Sequence, residues 1–126
     1  MKQENLQVAN VMSEMCPSRA LLNHVTSRWG VLVLLALQSE TLRFSELRQR
    51  IGGVSERMLS KTLKTLEQDG FVRRRSFNVV PPHVEYSLTE HGKGVAVHVK
   101  ALAAWLENTL PELPIAGSLG ADTARE

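Results

Sequence analysis

The sequence predicts a mainly α-helical fold that includes one small β-hairpin. Apolar residues recur at helical spacing before residue 70 and after residue 89, whereas residues 71–77 and 84–88 between them are β-prone. The chain has 126 residues, of which 43% are hydrophobic, which is sufficient for one domain that buries its own core. We expect an N-terminal arm at residues 1–15, the domain at residues 16–110 and a C-terminal tail at residues 111–126.

Cysteine content and hydropathy predict a cytoplasmic protein. Cys16 is the only cysteine, so the chain has no internal disulfide, which is typical of a reducing compartment. The longest apolar run, residues 31–37, is much shorter than the roughly 20 residues that a membrane-spanning helix needs. The first residues lack the apolar core of a signal peptide. We therefore expect no contact with a membrane.

The first two predicted helices supply much of the apolar core. Cys16 followed by Pro17 is typical of a helix start, because proline is favoured in the first turn. Leu21 and Val25 then give this helix an apolar side. Residues 27–38 are apolar on all sides, a pattern that fits either a buried helix or a core strand. The length of the run favours the buried helix.

Two further helices, joined by a short turn, predict a helix-turn-helix. Residues 44–50 form the first of these helices, with Ser45 as its N-cap, and Gly52-Gly53 ends it. Ser55 is the expected N-cap of the second helix, whose leucines recur at i, i+4 and i+7: Leu59, Leu63 and Leu66. Two helices joined by a short turn that contains glycine are typical of this motif.

A hairpin and a long helix complete the predicted order. Residues 71–77 and 84–88 form the two strands of the hairpin, and the loop between these strands is too long for a tight turn. Thr89 is the expected N-cap of the last helix. Apolar residues on that helix are spaced by 4, 3, 4 and 4, which is close to a coiled-coil seam: Val95, Val99, Leu102, Leu106 and Leu110.

The charges of the sequence are unevenly distributed, although the formal net charge is only +2. Residues 43–75 hold nine positive and four negative residues, hence +5, and the remainder holds six positive and nine negative residues, hence −3. A basic middle segment is typical of a protein that binds a polyanion, although a solvated surface with clustered charges fits the same counts. The basic, hydroxylated side of the second motif helix fits the major groove of duplex DNA.

Short motifs in the sequence resemble those of the HxlR family of winged-helix regulators, over roughly residues 16–110. These motifs are Cys16-Pro17, Arg28-Trp29, Arg43-Phe44-Ser45-Glu46-Leu47-Arg48, Gly53-Val54-Ser55-Glu56-Arg57-Met58-Leu59, Leu66-Glu67-Gln68-Asp69-Gly70-Phe71-Val72 and Val80-Pro81-Pro82-His83-Val84-Glu85-Tyr86-Ser87-Leu88-Thr89. The resemblance implies a bacterial transcription regulator with a winged helix-turn-helix fold. It also implies a homodimer on double-stranded DNA, so we expect an inverted-repeat operator. We expect neither a cofactor nor a metal ion.

The predicted DNA contacts lie mainly on the second motif helix. Arg57, Ser60 and Lys61 are expected to reach base edges. Ser55 and the first amides of the helix are expected to hold a phosphate. Contacts that position the DNA backbone are assigned to four cations: Lys64, Arg74, Arg43 and Arg48. The last two of these equally fit ordinary surface charge.

Two expectations follow from the resemblance for the hairpin and for the dimer. The family carries Arg or Lys after the double proline, whereas this chain has His83, so a wing contact is expected to strengthen on protonation. The first and last helices are expected to form the dimer interface. We assign to it Leu21, Val95, Val99, Leu102, Trp105 and Leu106.

Cys16 has two interpretations. A free cysteine is most often a small apolar side chain in a core. At a helix start, however, the helix dipole lowers the thiol pKa, and the resemblance implies that some members sense oxidants or electrophiles with a cysteine here. Cys16 is therefore a redox-sensing candidate, with a disulfide between two protomers as the expected product. The competing hypothesis is a constitutive regulator, or one with a small-molecule effector, in which Cys16 is structural.

Two other functional classes are considered. A winged-helix module that binds protein rather than DNA would keep the fold, but such modules often lack a basic second helix. A thiol-dependent enzyme would lose turnover on Cys16→Ser, yet no base is placed near that thiol and no Ser-His-Asp order is present, so an enzyme is not expected. His91 and His98 lie on one predicted helix without a second pair of ligands, so no metal site is expected.

Overall fold

The computed structural model describes residues 10–117 of the chain. The helices are α1 (Pro17–Val25), α2 (Arg28–Leu37), α3 (Phe44–Arg50), α4 (Glu56–Gln68) and α5 (Glu90–Thr109). The strands are β1 (Leu42–Arg43), β2 (Val72–Phe77) and β3 (His83–Leu88), and a short 3-10 helix, Leu110–Glu112, follows α5. The mainly α-helical fold with a hairpin is confirmed. The predicted arm and tail extend outside the described residues, because residues 1–9 and 118–126 are not described.

Ser55 and Thr89 begin α4 and α5, as the sequence predicts. The Ser55 Oγ accepts a hydrogen bond from the Met58 backbone N–H at 3.0 Å. The Thr89 Oγ1 accepts one from the Gly92 N–H, also at 3.0 Å. Each bond satisfies a backbone donor that has no partner inside its own helix. The start of α1 at Pro17 is likewise confirmed.

The prediction of Ser45 as the N-cap of α3 is wrong. The helix spans Phe44–Arg50 as predicted, but its cap residue is Arg43, two positions before Ser45, and Arg43 has the extended backbone of a cap residue. The Arg43 N–H donates to Oε1 of Glu46 at 2.7 Å, so the glutamate of the first turn reaches back to the backbone of the cap residue. Ser45 lies exposed in the first turn. Arg43 takes the cap position because it is held extended as the last residue of β1.

The core is built around α2, whose apolar run left the choice between helix and strand open. The buried helix is confirmed: Val33 and Leu34 are completely buried, and α2 contacts both α4 and α5. The leucine stripe of α4 packs into the same core, with at most 2% exposure for Leu59, Leu63 and Leu66. Most of α2 is covered by its neighbours, which explains its lack of a polar side, although Leu32 remains 37% exposed.

The hairpin belongs to a three-stranded antiparallel sheet in the order β1-β3-β2. The pairing of β2 with β3 runs from Val72 opposite Leu88 to Phe77 opposite His83. On the other edge of β3, Leu42 of β1 lies opposite Tyr86. The sequence does not predict β1, because a strand of two residues has no period to detect. This strand ties the start of the helix-turn-helix to the base of the wing.

The start of α5 is packed against the turn between α4 and β2. Gly92 is buried there, and a Cβ atom at this position would overlap the carbonyl oxygen of Phe71. Further along, Val99 is only 8% exposed and belongs to the core, and Val95 packs half-buried against it. The predicted seam is therefore divided. Its first part packs inside this chain, and its exposed part consists of Leu102, Leu106 and Leu110.

Within residues 10–117, no single helix is long and apolar enough to cross a membrane. By length and composition alone, α1 and α2 pass that test as a pair, and they are bent by 71° at the break between them.

Candidate nucleic-acid interface

The helix-turn-helix places α4 on the surface by anchoring the turn before it. Ile51 and Val54 are 4% and 6% exposed and fasten both ends of the turn to the core. Between them, Gly53 has a φ of +86°, a conformation that residues with a Cβ rarely adopt. The turn can therefore be short, and the N-terminus of α4 projects from the domain with Ser55 at its tip.

The exposed side of α4 carries the residues that the sequence assigns to base edges and phosphate. Arg57, Ser60, Lys61 and Lys64 are all exposed, and the spacing i, i+3, i+4, i+7 places them on one side of the helix. The leucine stripe occupies the opposite side. Seven residues of α-helix rise by about 10 Å, and the major groove is about 12 Å wide and admits an α-helix. This surface, hereafter the basic face of α4, thus has the shape and charge to enter that groove.

A carboxylate lies at the edge of the basic face. Oε2 of Glu56 is 3.4 Å from Nη1 of Arg48, and both side chains are well exposed. In this pair, Glu56 competes with a phosphate for the Arg48 guanidinium. An exposed pair of this kind contributes little to stability, because solvent screens it. Arg48 is therefore placed beside α4 as predicted, but with a charge partner that the sequence analysis did not identify.

The residues predicted to contact DNA from the wing lie on opposite sides of the three-stranded sheet. Side chains alternate along a strand, so Arg74 lies on the same side as the core residue Val72. Arg43 and His83 lie on the other side, since their register partners there are Glu85 and Phe77. The structure thus brings Arg43 and His83 together and places Arg74 on the opposite side of the sheet.

His83 is engaged by neighbours within the wing. Its Nε2 lies 2.7 Å from Oε2 of Glu85, and its ring meets the edge of Phe77 at a centroid distance of 5.0 Å. The guanidinium of Arg75 stacks at 4.7 Å from the Phe77 ring centroid. Glu85 is flanked in register by Arg43 on one strand and by Arg75 on the other. A phosphate contact through Nε2 of His83 would therefore have to displace the Glu85 carboxylate.

Sequence reasoning noted Arg75 only as one of three consecutive hairpin arginines and did not identify Glu85 as its neighbour. The signal that identifies them is the pairing register, which follows once Phe77 is placed opposite His83. The loop between the strands ends in an exposed apolar tip, where Val80 is 98% exposed. Cations on the strands are the side chains that suit contact with a DNA backbone, whereas the apolar tip offers no partner to a phosphate.

Cys16 occupies the cap position of α1 and is partly exposed. Its Sγ lies 2.8 Å from the Ser18 Oγ. The hydrogen bonds with the side chain and then the backbone of Ser18 lower the pKa of the Cys16 thiol, which is the direction expected at a helix start. The thiolate, which is the reactive form, is therefore more populated at neutral pH than in an ordinary cysteine.

Exposed apolar side chains on α1 and α5 bear on the predicted dimer interface. On α5, Leu102, Trp105 and Leu106 are 57%, 59% and 47% exposed, and Leu21 on α1 is 36% exposed. Trp105 is the largest of these, and an aromatic side chain of this size is rarely left in water. Val99, by contrast, is buried within the protomer and offers little surface to a partner.

Within residues 10–117, no group of three or more His, Cys, Asp or Glu side chains is placed to hold a metal ion. His24 is instead paired with Asp69, with 2.7 Å between Nδ1 and Oδ2, and this pair joins the end of α1 to the end of α4.

Comparison with known proteins agrees with this geometry. The family described as HxlR-like helix-turn-helix matches residues 24–113. The chain is 58% identical over 110 residues to the uncharacterized HTH-type transcriptional regulator YtfH of Escherichia coli (strain K12), covering 87% of each chain. A solved structure of the putative transcriptional regulator ytfH from Salmonella typhimurium is 60% identical, with a TM-score of 0.78 over 82% of this chain and 93% of that one. The redox regulator HypR in its oxidized form is 34% identical, with a TM-score of 0.68 over 74% and 96%.

Proposed function

The chain belongs to the HxlR-like helix-turn-helix family of transcriptional regulators, and from this premise we propose that it binds an inverted-repeat operator as a homodimer in the cytoplasm. The basic face of α4 is the observation that carries the proposal. Arg57, Ser60 and Lys61 read base edges there, and Lys64 positions the backbone. The same face argues against a module that binds only protein, because such a module has no use for cations on this helix.

The proposed dimer is held by α1 and α5. Leu21 and the exposed apolar residues of α5 supply the surface, which is Leu102, Trp105 and Leu106. Two-fold symmetry then presents two copies of α4 to one side of the duplex, at half-sites about 34–36 Å apart or a multiple of that distance. Val95 and Val99 support the interface from inside the protomer rather than touching the partner.

Fluorescence anisotropy with two labelled duplexes tests the operator proposal. One duplex is the region upstream of the protein's own gene, and the other is a random sequence of equal length. We expect binding to the first to be about 10³-fold tighter than to the second and to weaken steeply with salt. The double variant Arg57→Ala, Lys61→Ala should abolish this preference, whereas Lys100→Ala, on the exposed side of α5, should retain it. If no duplex shows salt-dependent binding, the DNA-binding role of this surface is wrong.

A second proposal, that oxidants regulate DNA binding through Cys16, is supported by the lowered pKa of its thiol. The similarity to HypR, a redox regulator solved in an oxidized form, is consistent with it. In the proposed step, diamide takes two electrons and two protons from the Cys16 thiols of two protomers, which join as a disulfide while the diamide is reduced to its hydrazine. Non-reducing mass spectrometry should show a covalent dimer that Cys16→Ser does not form. An unmodified Cys16 after diamide treatment, together with unchanged operator affinity, would end this proposal.

A further inference from the structure

A cleft on one flank of α4 does not include Cys16 and adjoins the basic face of α4, with which it shares Lys61. Its walls are the end of α1, the start of α2 and the side of α4 next to the basic face. Its volume is about 190 Å³. Apolar cavities of about 150 Å³ in protein cores bind benzene, so this cleft has room for one aromatic ring with a small substituent.

The floor of the cleft is apolar. It is formed by the Trp29 indole, by Leu66, which is 1% exposed, and by the Met58 side chain, which is 39% exposed. Aromatic and thioether groups pack favourably against the edge or face of a planar ring. The floor therefore selects a flat, apolar body rather than a sugar or a peptide.

The rim of the cleft is cationic. Arg28 of α2 and Lys61 of α4 are its two basic lining residues, no acidic side chain lines it, and neither cation forms an ion pair with a described residue. The Arg28 guanidinium is 5.5 Å from the Trp29 ring centroid, which keeps it over the floor. A carboxylate at this rim would receive charge-assisted hydrogen bonds, which are about twice as strong as neutral ones.

The polar groups between rim and floor are largely occupied. The Ser27 hydroxyl donates to the His24 carbonyl at 2.8 Å, and the Thr62 hydroxyl donates to the Met58 carbonyl at 2.8 Å. The His24 ring is bound by Asp69. The cleft consequently offers a ligand an apolar floor and two cations without an ion-pair partner among the described residues, and its other polar side chains are those of Asn23 and Thr65.

We propose that this cleft binds a small aromatic carboxylate of the benzoate class, and that the ligand lowers DNA affinity by engaging Lys61. The second half of this inference rests on the proposed DNA-binding function, because Lys61 belongs to the basic face as well as to the rim. A carboxylate that pairs with Lys61 withdraws that side chain from the groove. By linkage, DNA must weaken ligand binding by the same factor.

Nuclear magnetic resonance of the ¹⁵N-labelled full chain, titrated with benzoate, tests the site without DNA. The chain has two tryptophans, so the indole N–H of Trp29 reports the cleft and that of Trp105 is an internal control. We expect only the Trp29 signal to shift, with a dissociation constant of about 1 mM or tighter, as a ligand of this size allows. Benzamide, the neutral analogue, should bind about tenfold more weakly, since it lacks the charged acceptor.

Two variants and one control locate the binding. Arg28→Gln removes one cation and should weaken benzoate binding about five- to tenfold. Thr65→Leu fills the cleft and should abolish the Trp29 shift, whereas Lys100→Gln, an exposed cation outside the cleft, should change nothing. Equal binding of benzoate and benzamide, joint shifts of both indoles, or no shift at about 10 mM would each overturn the proposal.

The anisotropy titration with the operator duplex is then repeated with benzoate present. We expect the affinity for the duplex to fall in the wild type and to be unaffected in Thr65→Leu. Benzoate binding without any change in duplex affinity would overturn the coupling to Lys61. If the protein binds no duplex at all, the proposed DNA function fails, and the resonance titration still decides whether the cleft binds the carboxylate.

Discussion

Two glycines of α5, Gly92 and Gly94, should respond in opposite directions to the same substitution. A Cβ at Gly94 meets nothing within 4 Å, so Gly94→Ala should stabilise the protein by about 1 kcal/mol through helix propensity alone. A Cβ at Gly92 would overlap the Phe71 carbonyl oxygen, lie 2.9 Å from its carbonyl carbon and lie 3.2 Å from the Leu88 Cβ. Overpacking typically costs about 1–3 kcal/mol. Because the clash at Gly92 is with backbone atoms, we take the overpacking cost as about 3 kcal/mol. The gain in helix propensity offsets about 1 kcal/mol of it, so the free energy of unfolding of Gly92→Ala should fall by about 2 kcal/mol.

Thermal unfolding at one fixed protein concentration measures both changes, since the proposed dimerisation would make the midpoint depend on concentration. At about 4 °C per kcal/mol for a chain of this size, Gly94→Ala should raise Tm by about 4 °C and Gly92→Ala should lower it by about 8 °C. The Thr89 Oγ1 donates to the Gly70 carbonyl at 2.6 Å in the same junction, so α5 cannot retreat freely. If Gly92→Ala proves as stable as Gly94→Ala, the close approach of α5 to Phe71 is refuted.

Three further predictions concern the thiol, the edge of the basic face and the dimer. Ser18→Ala removes the largest contribution to the lowered pKa of Cys16, so the pH profile of iodoacetamide alkylation should move to higher pH; an unmoved profile contradicts this assignment. Glu56→Gln frees Arg48 and removes a negative charge near the phosphates, so operator affinity should rise about two- to fivefold in anisotropy titrations, and a fall would count against the docking of α4. Leu102→Asp should halve the molar mass found by light scattering while circular dichroism stays unchanged, whereas a dimer that persists places the interface elsewhere.

Local signals in the sequence were sufficient for most helices of this fold. The caps Ser55 and Thr89 and the leucine stripe of α4 were predicted because each depends on residues within one or two turns of one another. The cap of α3 was predicted wrongly for the complementary reason. Arg43 takes the cap position because β1 pairs with β3, a contact between residues far apart in the sequence.

The candidate site was predictable in part for the same reason. The basic face of α4 follows from helical periodicity alone, so Arg57, Lys61 and Lys64 are found on one side of the helix as expected. The wing contacts depend on the register of the sheet, which places His83 opposite Phe77 and puts Arg75 beside Glu85, the partner of His83, while Arg74 lies on the other side. Periodicity likewise identifies the apolar positions of α5, but it cannot tell that Val99 faces the protomer's own core.

The helix α4 has three different sides, and Lys61 lies where the basic face meets the side that lines the cleft. One side packs its leucines into the core, one is the basic face, and the third lines the cleft with Met58 and Thr65. A ligand in the cleft therefore reaches the DNA surface through one side chain, without any rearrangement of the core. Competition between ligand and DNA for Lys61 therefore predicts a result that differs from the one expected if the ligand displaced all of α4.

In the variant Lys61→Ala, Arg28 still stands at the rim, so benzoate should bind more weakly but reach saturation at higher concentration, as monitored by the Trp29 indole signal. At that saturating concentration, the remaining affinity for the duplex should be insensitive to benzoate, because the shared side chain is gone. A ligand that acted by moving α4 would still weaken DNA binding in this variant, since Arg57 and Lys64 would be displaced with the helix. Only competition for Lys61 itself predicts that the coupling vanishes while both ligands still bind.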